Sequence, residues 1–210
     1  QLVGMSFAVE ENCAYYVHVP REREEALRVV NMFREIFKDE SIMKVGQNMK
    51  FDILFLRALG IKVEGAKWDT MLIHYLLDAE ARHGMNALAE RYLDYSPIAI
   101  ESLIGRGSKQ LTMDMIGVER IAEYAAEDSD ITLQLYNVLR PMLEKEESLL
   151  SLYHDVEEPM IGVLADMEWE GVRINSEALH SYSIMLSQKL AAIEQEIREE
   201  SGEREININS

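Results

Sequence analysis

An α/β layer fold is predicted for this 210-residue chain by three observations. Two short runs rich in Val, Phe and Tyr open the chain, an apolar stripe at helical spacing follows, and a further strand and helix come next. Strands alternating with helices are the mark of α/β layers. Residues 2 to 9 and 14 to 19 read as a hairpin split by the polar turn Glu10-Glu11-Asn12, with Pro20 ending the second strand. Residues 22 to 37 align Ala26, Leu27, Val29, Val30, Phe33, Ile36 and Phe37 as one helix, and Ile42 to Val45 is the next strand. Lys44-Val45-Gly46-Gln47-Asn48 then runs into a helix with Asn48 as its N-cap, and Gly60 closes that helix.

Asp69 stands just before apolar Met71, Leu72, Tyr75 and Leu76, which suits a carboxylate capping the next helix. The stretch from Ala79 to Gln110 carries Gly84, Pro97, Gly105 and Gly107 and reads as short helices joined by loops. A long helix is predicted from about Gly117, carrying Ile121, Tyr124, Ala125, Asp128, Thr132 and Leu135. Acidic Glu144 to Glu147 marks a boundary without the Gly or Pro richness of a flexible linker. A helix over 149 to 168 leads to a turn at Gly171. Asn175 or Ser176 then caps a last helix with Leu179, Tyr182, Leu186, Leu190, Ile193 and Ile197 at spacings of three and four. That stripe wants a partner, so the tail is expected to be mobile or to bury the stripe against another molecule.

The chain is 48% hydrophobic and 28% charged, the composition of a soluble globular protein with one well-buried core. No run suggests a membrane span, and the start lacks the basic and apolar pattern of a secretory signal. Cys13 is the single cysteine, so no internal disulfide forms and a reducing cytoplasm is the natural setting. Net charge is -17, which opposes broad phosphate binding. The acidity is uneven. Residues 1 to 110 hold 14 Lys or Arg against 16 Asp or Glu, whereas residues 111 to 210 hold 7 against 22.

One spacing carries chemistry. Tyr124 and Asp128 stand four residues apart on the long helix, so a phenol and a carboxylate project side by side. Asp52 lies on the first turn of an earlier helix, where the positive end of the helix dipole is expected to keep it ionised. Carboxylates of this kind hold hard divalent cations, which stabilise the attacking and leaving oxygens of a phosphodiester displacement, and a phenol can orient the water. The three residues together suggest a metal-dependent nuclease site. Glu127 and Asp130 point away from this face and are assigned solvated or structural roles.

Four segments, Val45-Gly46-Gln47-Asn48-Met49-Lys50-Phe51-Asp52, Trp68-Asp69-Thr70-Met71-Leu72, Leu88-Ala89-Glu90-Arg91-Tyr92-Leu93 and Tyr124-Ala125-Ala126-Glu127-Asp128, resemble in order and spacing the 3'-5' proofreading exonuclease domain of bacterial DNA polymerase I, family A. Glu157-Glu158-Pro159-Met160 and Glu170-Gly171-Val172-Arg173-Ile174 resemble the opening of its polymerase domain. The resemblance implies a ribonuclease H-like fold, a mixed sheet flanked by helices, over residues 1 to 146, and thumb-base helices over 147 to 210. It makes Asp52 and Asp128 metal ligands and Tyr124 the residue that positions water, with two Mg²⁺ or Mn²⁺ ions in the intact site. The family's first motif, an Asp-x-Glu on an opening strand, is not in this chain. The fragment alone is therefore expected to have an incomplete or empty metal site and to be inactive, within a cytoplasmic bacterial enzyme that replicates and repairs DNA.

The implied partners are a single-stranded or frayed 3' end of DNA and, for the parent polymerase, deoxynucleotides; the protein is expected to be a monomer. Gln47 and Asn48 suit phosphate or sugar contacts, and Arg82, His83, Arg91, Arg106 and Lys109 suit a positively charged channel. Phe51, beside apolar Ile53, Leu54 and Leu56, is assigned to core packing. Ile100 is too, although the resemblance implies that an apolar side chain there can lie against terminal bases. Two other readings stand beside this one: a ribonuclease D-like 3'-5' exoribonuclease, which shares the Tyr-x-x-x-Asp pattern, and a catalytically retired domain that only positions a polymerase, against which the retention of Asp52, Tyr124 and Asp128 speaks.

Overall fold

A computed structural model describes residues 2–202. The opening hairpin is formed by β1 (Gly4–Glu10) and β2 (Cys13–His18), antiparallel, with Gly4 opposite His18 and a bulge where Glu10 faces Cys13. Asn12 adopts a left-handed φ of 63° in the turn, a conformation Asn tolerates better than most residues. The predicted helix over 22 to 37 is two helices, α1 (Arg23–Asn31) and α2 (Arg34–Lys38). The break is tightened by bonds from Met32 N–H to the Val29 carbonyl and from Phe33 N–H to the Val30 carbonyl, both 3.1 Å. Arg34 fastens the corner by donating to Asn31 Oδ1 and to the Gly60 carbonyl. Beyond the corner Phe33 stacks on Phe7 at 5.1 Å, and Phe37 lies 6.1 Å from it.

A second ladder is parallel and short. β3 (Lys44–Gly46) pairs with β4 (Lys67–Asp69), Lys44 opposite Lys67. Between them runs α3 (Met49–Ala58), which ends as expected at Gly60, φ 75°. Gly60 N–H bonds the Arg57 carbonyl and Ile61 N–H the Leu56 carbonyl, both 2.9 Å, and Ile61 and Leu56 are buried together. That is a Schellman closure with its apolar contact. Both pairing senses of the expected mixed sheet are present, divided between two two-stranded ladders among the described residues.

After α4 (Thr70–Leu77), α5 (Met85–Tyr92) and α6 (Ile100–Ile104) supply the short helices expected between residues 79 and 110. The long helix α7 (Val118–Glu144) starts at Gly117 as expected. It packs on both strands of the hairpin, on β3 and on α4, α5 and α6. One core gathers Met5, Val19, Val30, Leu56 and Ile61; the other joins Trp68, Ile73 and Leu88 to Ile131, Leu135, Leu139 and Leu143 of α7. The α7 residues recur at the i, i+4 spacing that builds one apolar face.

The segment expected as one helix over 149 to 168 is α8 (Glu147–Leu152), a π-turn over Tyr153–Glu157, and α9 (Glu158–Glu170). Tyr153 is fully buried in the second core and stacks on Trp68 at 4.9 Å. One compact unit runs to Trp169, and a second runs from Glu170 onward. In the second, α10 (Ser176–Ser201) is capped by Asn175, whose side chain accepts from Ala178 N–H at 3.0 Å. The predicted stripe Leu179, Tyr182, Leu186, Leu190, Ile193 and Ile197 lies exposed along α10. No described helix is long and apolar enough to cross a membrane.

Candidate active site

The site grows from α7, which presents Tyr124 and Asp128 one turn apart. The Tyr124 phenol faces the Asp128 carboxylate and stabilises its anion. Loss of water outweighs that help. Burial first, with Glu127 adding repulsion, pushes Asp128 up to about 7. Burial and the neighbouring carboxylate raise the Tyr124 hydroxyl as well, so the phenol stays protonated at neutral pH. Asp128 Oδ1 is buried and has no hydrogen-bond partner within the protein. An acceptor held in that state is satisfied by a cation or water.

Asp52 stands on the first turn of α3 as predicted. The helix dipole is expected to keep it ionised, and it remains mostly a carboxylate at neutral pH, but its carboxyl is held above the usual range. The residue is exposed, and nearby protein atoms that displace part of its water first, with the charge of Asp69 second, push it up to about 6. The dipole effect, about 0.3 to 1 kcal/mol at a surface site, is smaller than these opposing terms. A bound divalent cation would reverse the balance, because positive charge favours the anion. Each carboxylate is of the chemical type that suits a hard metal ion, and Asp128 has an orphaned oxygen; the charged neighbour of Asp52 is Asp69, whereas those of Asp128 are Tyr124 and Glu127. Among the described residues no group of three acids, histidines or cysteines gathers for a metal.

Asp69 has a larger capping role than the one expected of it. It is buried, and its carboxylate accepts from Met71 N–H at 2.9 Å, capping α4. It also accepts from Asn48 N–H at 3.0 Å and Met49 N–H at 2.7 Å, capping α3 from 20 residues away. The expected cap, Asn48, contributes only its backbone. It sits at left-handed φ 60° with its side chain exposed and making no cap bond. That turn aims the first N–H groups of α3 at the buried carboxylate.

The expected DNA-contact residues divide by environment. Gln47 is occupied inside the protein, donating to the His83 carbonyl at 2.8 Å and accepting from the Thr70 hydroxyl. Arg91 pairs with Asp78 at 2.8 Å, so its charge is partly matched. Arg82 and Arg106 are exposed, while the Lys109 side chain lies outside the described ones. The assignment of Phe51 and Ile100 to the core is corrected. Phe51 is 57% and Ile100 39% exposed, and the Phe51 ring lies tilted against Phe55 at 4.8 Å. α3 turns its Met49 and Leu56 face inward, and α6 its Leu103 and Ile104 face, which leaves Phe51 and Ile100 outside.

Glu127 and Asp130 have structural roles, as expected. Glu127 accepts from the Tyr95 hydroxyl at 2.6 Å and from Ile98 N–H at 2.7 Å, pinning the loop before α6. Asp130 accepts from Asn12 N–H at 2.6 Å and ties α7 to the hairpin turn. Sequence reasoning missed Tyr153, whose hydroxyl accepts from Asp69 N–H at 2.7 Å and donates to the Lys67 carbonyl at 3.1 Å. It also missed buried His74, whose Nδ1 lies 2.8 Å from His83 Nδ1. Neither has a local signal, since each is defined by a partner distant in sequence or across a loop.

A family model described as 3'-5' exonuclease, of the DNA polymerase A type, matches residues 1–144. The chain is 38% identical to DNA polymerase I of Pseudomonas aeruginosa, over 100% of this chain and 24% of that protein. It is 41% identical to DNA polymerase I of Rhizobium leguminosarum, over 84% of this chain and 17% of that protein. The chain thus spans a quarter or less of the length of these relatives. A solved structure, the POL domain of Pol1 from M. smegmatis in complex with DNA primer-template and dNTP, shares the fold with a TM-score of 0.70. It is 20% identical over 94% of this chain and 30% of that one.

Proposed function

The chain belongs to the 3'-5' exonuclease family of A-type DNA polymerases, and from that premise we propose that it carries part of the proofreading site of a bacterial DNA polymerase I. Residues 1 to 146 form the exonuclease domain in this reading, and residues 147 to 210 begin the polymerase region. Asp52 and Asp128 would hold Mg²⁺ or Mn²⁺, two ions in the intact site. The ions supply charge stabilisation to the attacking and leaving oxygens of the displaced nucleotide. Tyr124, protonated and beside Asp128, orients the attacking water by hydrogen bonding and leaves proton removal to another acceptor. Arg82 and Arg106 offer charge to the backbone of a frayed 3' end, with Arg91, Lys109, Asn48 and Gln47 as further contacts. Exposed Ile100 offers an apolar surface to the terminal bases.

The observation that carries this reading is the buried, unpartnered Oδ1 of Asp128 beside Tyr124. A retired scaffold has no reason to keep a carboxylate desolvated at a cost of this kind. By the family resemblance an opening-strand Asp-x-Glu joins Asp52 and Asp128 in the intact site, so the test uses a longer chain. Extending this one upstream by about 30 residues, enough for one strand and its turn at roughly 3.3 Å per residue, provides the test. With 3'-labelled single-stranded DNA and Mg²⁺, the extended protein is expected to release nucleotides stepwise, and Asp128→Ala to abolish release. A folded extended protein that releases none would support the scaffold reading.

A further inference from the structure

We propose that Asp69 and Tyr153 are positioning residues for Asp52, a relay by which the segment beyond the exonuclease match sets the metal-facing end of α3. This rests on the reading above that Asp52 is a metal ligand. The geometry begins at one buried carboxylate. Asp69 receives the N–H groups of Asn48 and Met49 at the start of α3, and that of Met71 at the start of α4. Two helix origins are thereby fixed to one point, and Asp52 follows Met49 by less than one turn. Asp69 cannot swing away, because its own N–H is bound to the Tyr153 hydroxyl, which in turn donates to the Lys67 carbonyl. The Tyr153 ring is stacked on Trp68 and fully buried, so the hydroxyl has no freedom to wander.

Tyr153 lies on the π-turn, past residue 144 where the family match ends. The same segment reaches β4 a second time through Glu158, which accepts from Lys67 N–H at 3.1 Å. Farther along α9, Glu168 pairs with Lys50 and Asp166 with Arg57, both on α3. The onset of the polymerase region therefore holds α3 near both ends. Residues that orient metal ligands without touching the metal commonly change metal affinity or activity by about 10 to 100-fold when altered, and a displacement of about 1 Å at such a site is enough for that.

The test uses the full-length protein and two variants of different severity. Asp69→Asn removes the charge and puts an NH2 donor in place of one accepting oxygen, so at least one of the three N–H groups loses its partner; Tyr153→Phe removes one hydroxyl and keeps the stack on Trp68. Both are expected to speed hydrogen exchange at the amides of Asn48 and Met49 while leaving Leu135 and Leu139 of α7 unchanged. Binding of Mn²⁺ alone, followed by electron paramagnetic resonance, is expected to weaken by roughly 10-fold. For removal of a 3' nucleotide, kcat falls with KM within about twofold, the pattern of a group that acts after binding. Unchanged exchange at Asn48 and Met49, or faster exchange with Mn²⁺ affinity intact, would overturn the proposal and leave Asp69 a helix cap only. Asp52→Ala is the control for the underlying reading. If that variant binds Mn²⁺ like the wild type, Asp52 is no ligand and the relay has nothing to position, whatever the exchange data show.

Discussion

Replacing Asp128 by Asn isolates what its burial does to the molecule. In the unfolded chain the carboxyl titrates near 3.8, and in the fold near 7. The folded state therefore favours the protonated acid. Well below pH 3.8 the residue is neutral in both states and imposes no penalty. As pH rises from the unfolded value toward the folded one the penalty grows, and above about pH 7 it is complete. At ~1.4 kcal/mol per pH unit the full shift corresponds to an upper figure of about 4 kcal/mol, and water and local relaxation bring the working range to about 2 to 4 kcal/mol. Asn keeps an acceptor for the Tyr124 hydroxyl and never ionises, so the variant escapes the penalty. Urea unfolding of wild type and Asp128→Asn at pH 4.5 and pH 8, without metal, measures it. The variant's advantage is expected to widen by about 2 to 3 kcal/mol across that interval. Other groups titrate equally in both proteins and cancel in the difference. An advantage that is constant with pH, or that shrinks, would refute the claim that Asp128 is desolvated.

Three further outcomes test the scaffold. Gly65 has φ +79°, and a Cβ there would stand 2.8 Å from the Glu40 carbonyl oxygen; Gly65→Ala is expected to lower stability by about 1 to 3 kcal/mol. Gly162 lies inside α9 with open space where a Cβ would go, so Gly162→Ala is expected to raise stability by about 0.5 to 1 kcal/mol, read in the same unfolding experiment. Glu127→Ala removes the acceptor for Tyr95 and leaves Ile98 N–H without one. It is expected to cost about 1 to 3 kcal/mol and to speed amide exchange over residues 95 to 99.

What the sequence disclosed follows the range of each interaction. The hairpin, the α3 closure at Gly60 and the start of α7 depend on turn residues and periodicity within a few positions, and all were legible. The side-by-side placement of Tyr124 and Asp128 is likewise a property of one helix turn. The break between α1 and α2 was not legible. It arises where Arg34 finds the carbonyl of Gly60, 26 residues on. Asn48 looked like a cap because its type suits the position, yet buried Asp69 outcompetes it from the neighbouring strand. Phe51 and Ile100 looked like core because apolar neighbours surround them in sequence, and only the rotation of α3 and α6 against the core settles which face is wet. The raised values at Asp52 and Asp128 come from desolvation, which no spacing encodes.

The most direct measurement gives the full-length protein a primer whose 3' nucleotide is mispaired, with Mg²⁺ and deoxynucleotides, and follows the labelled terminal residue. The wild type is expected to release it as a monophosphate before extension, and Asp128→Ala to retain it. Equal retention by both proteins would contradict the assignment of Asp52, Tyr124 and Asp128 to a proofreading site.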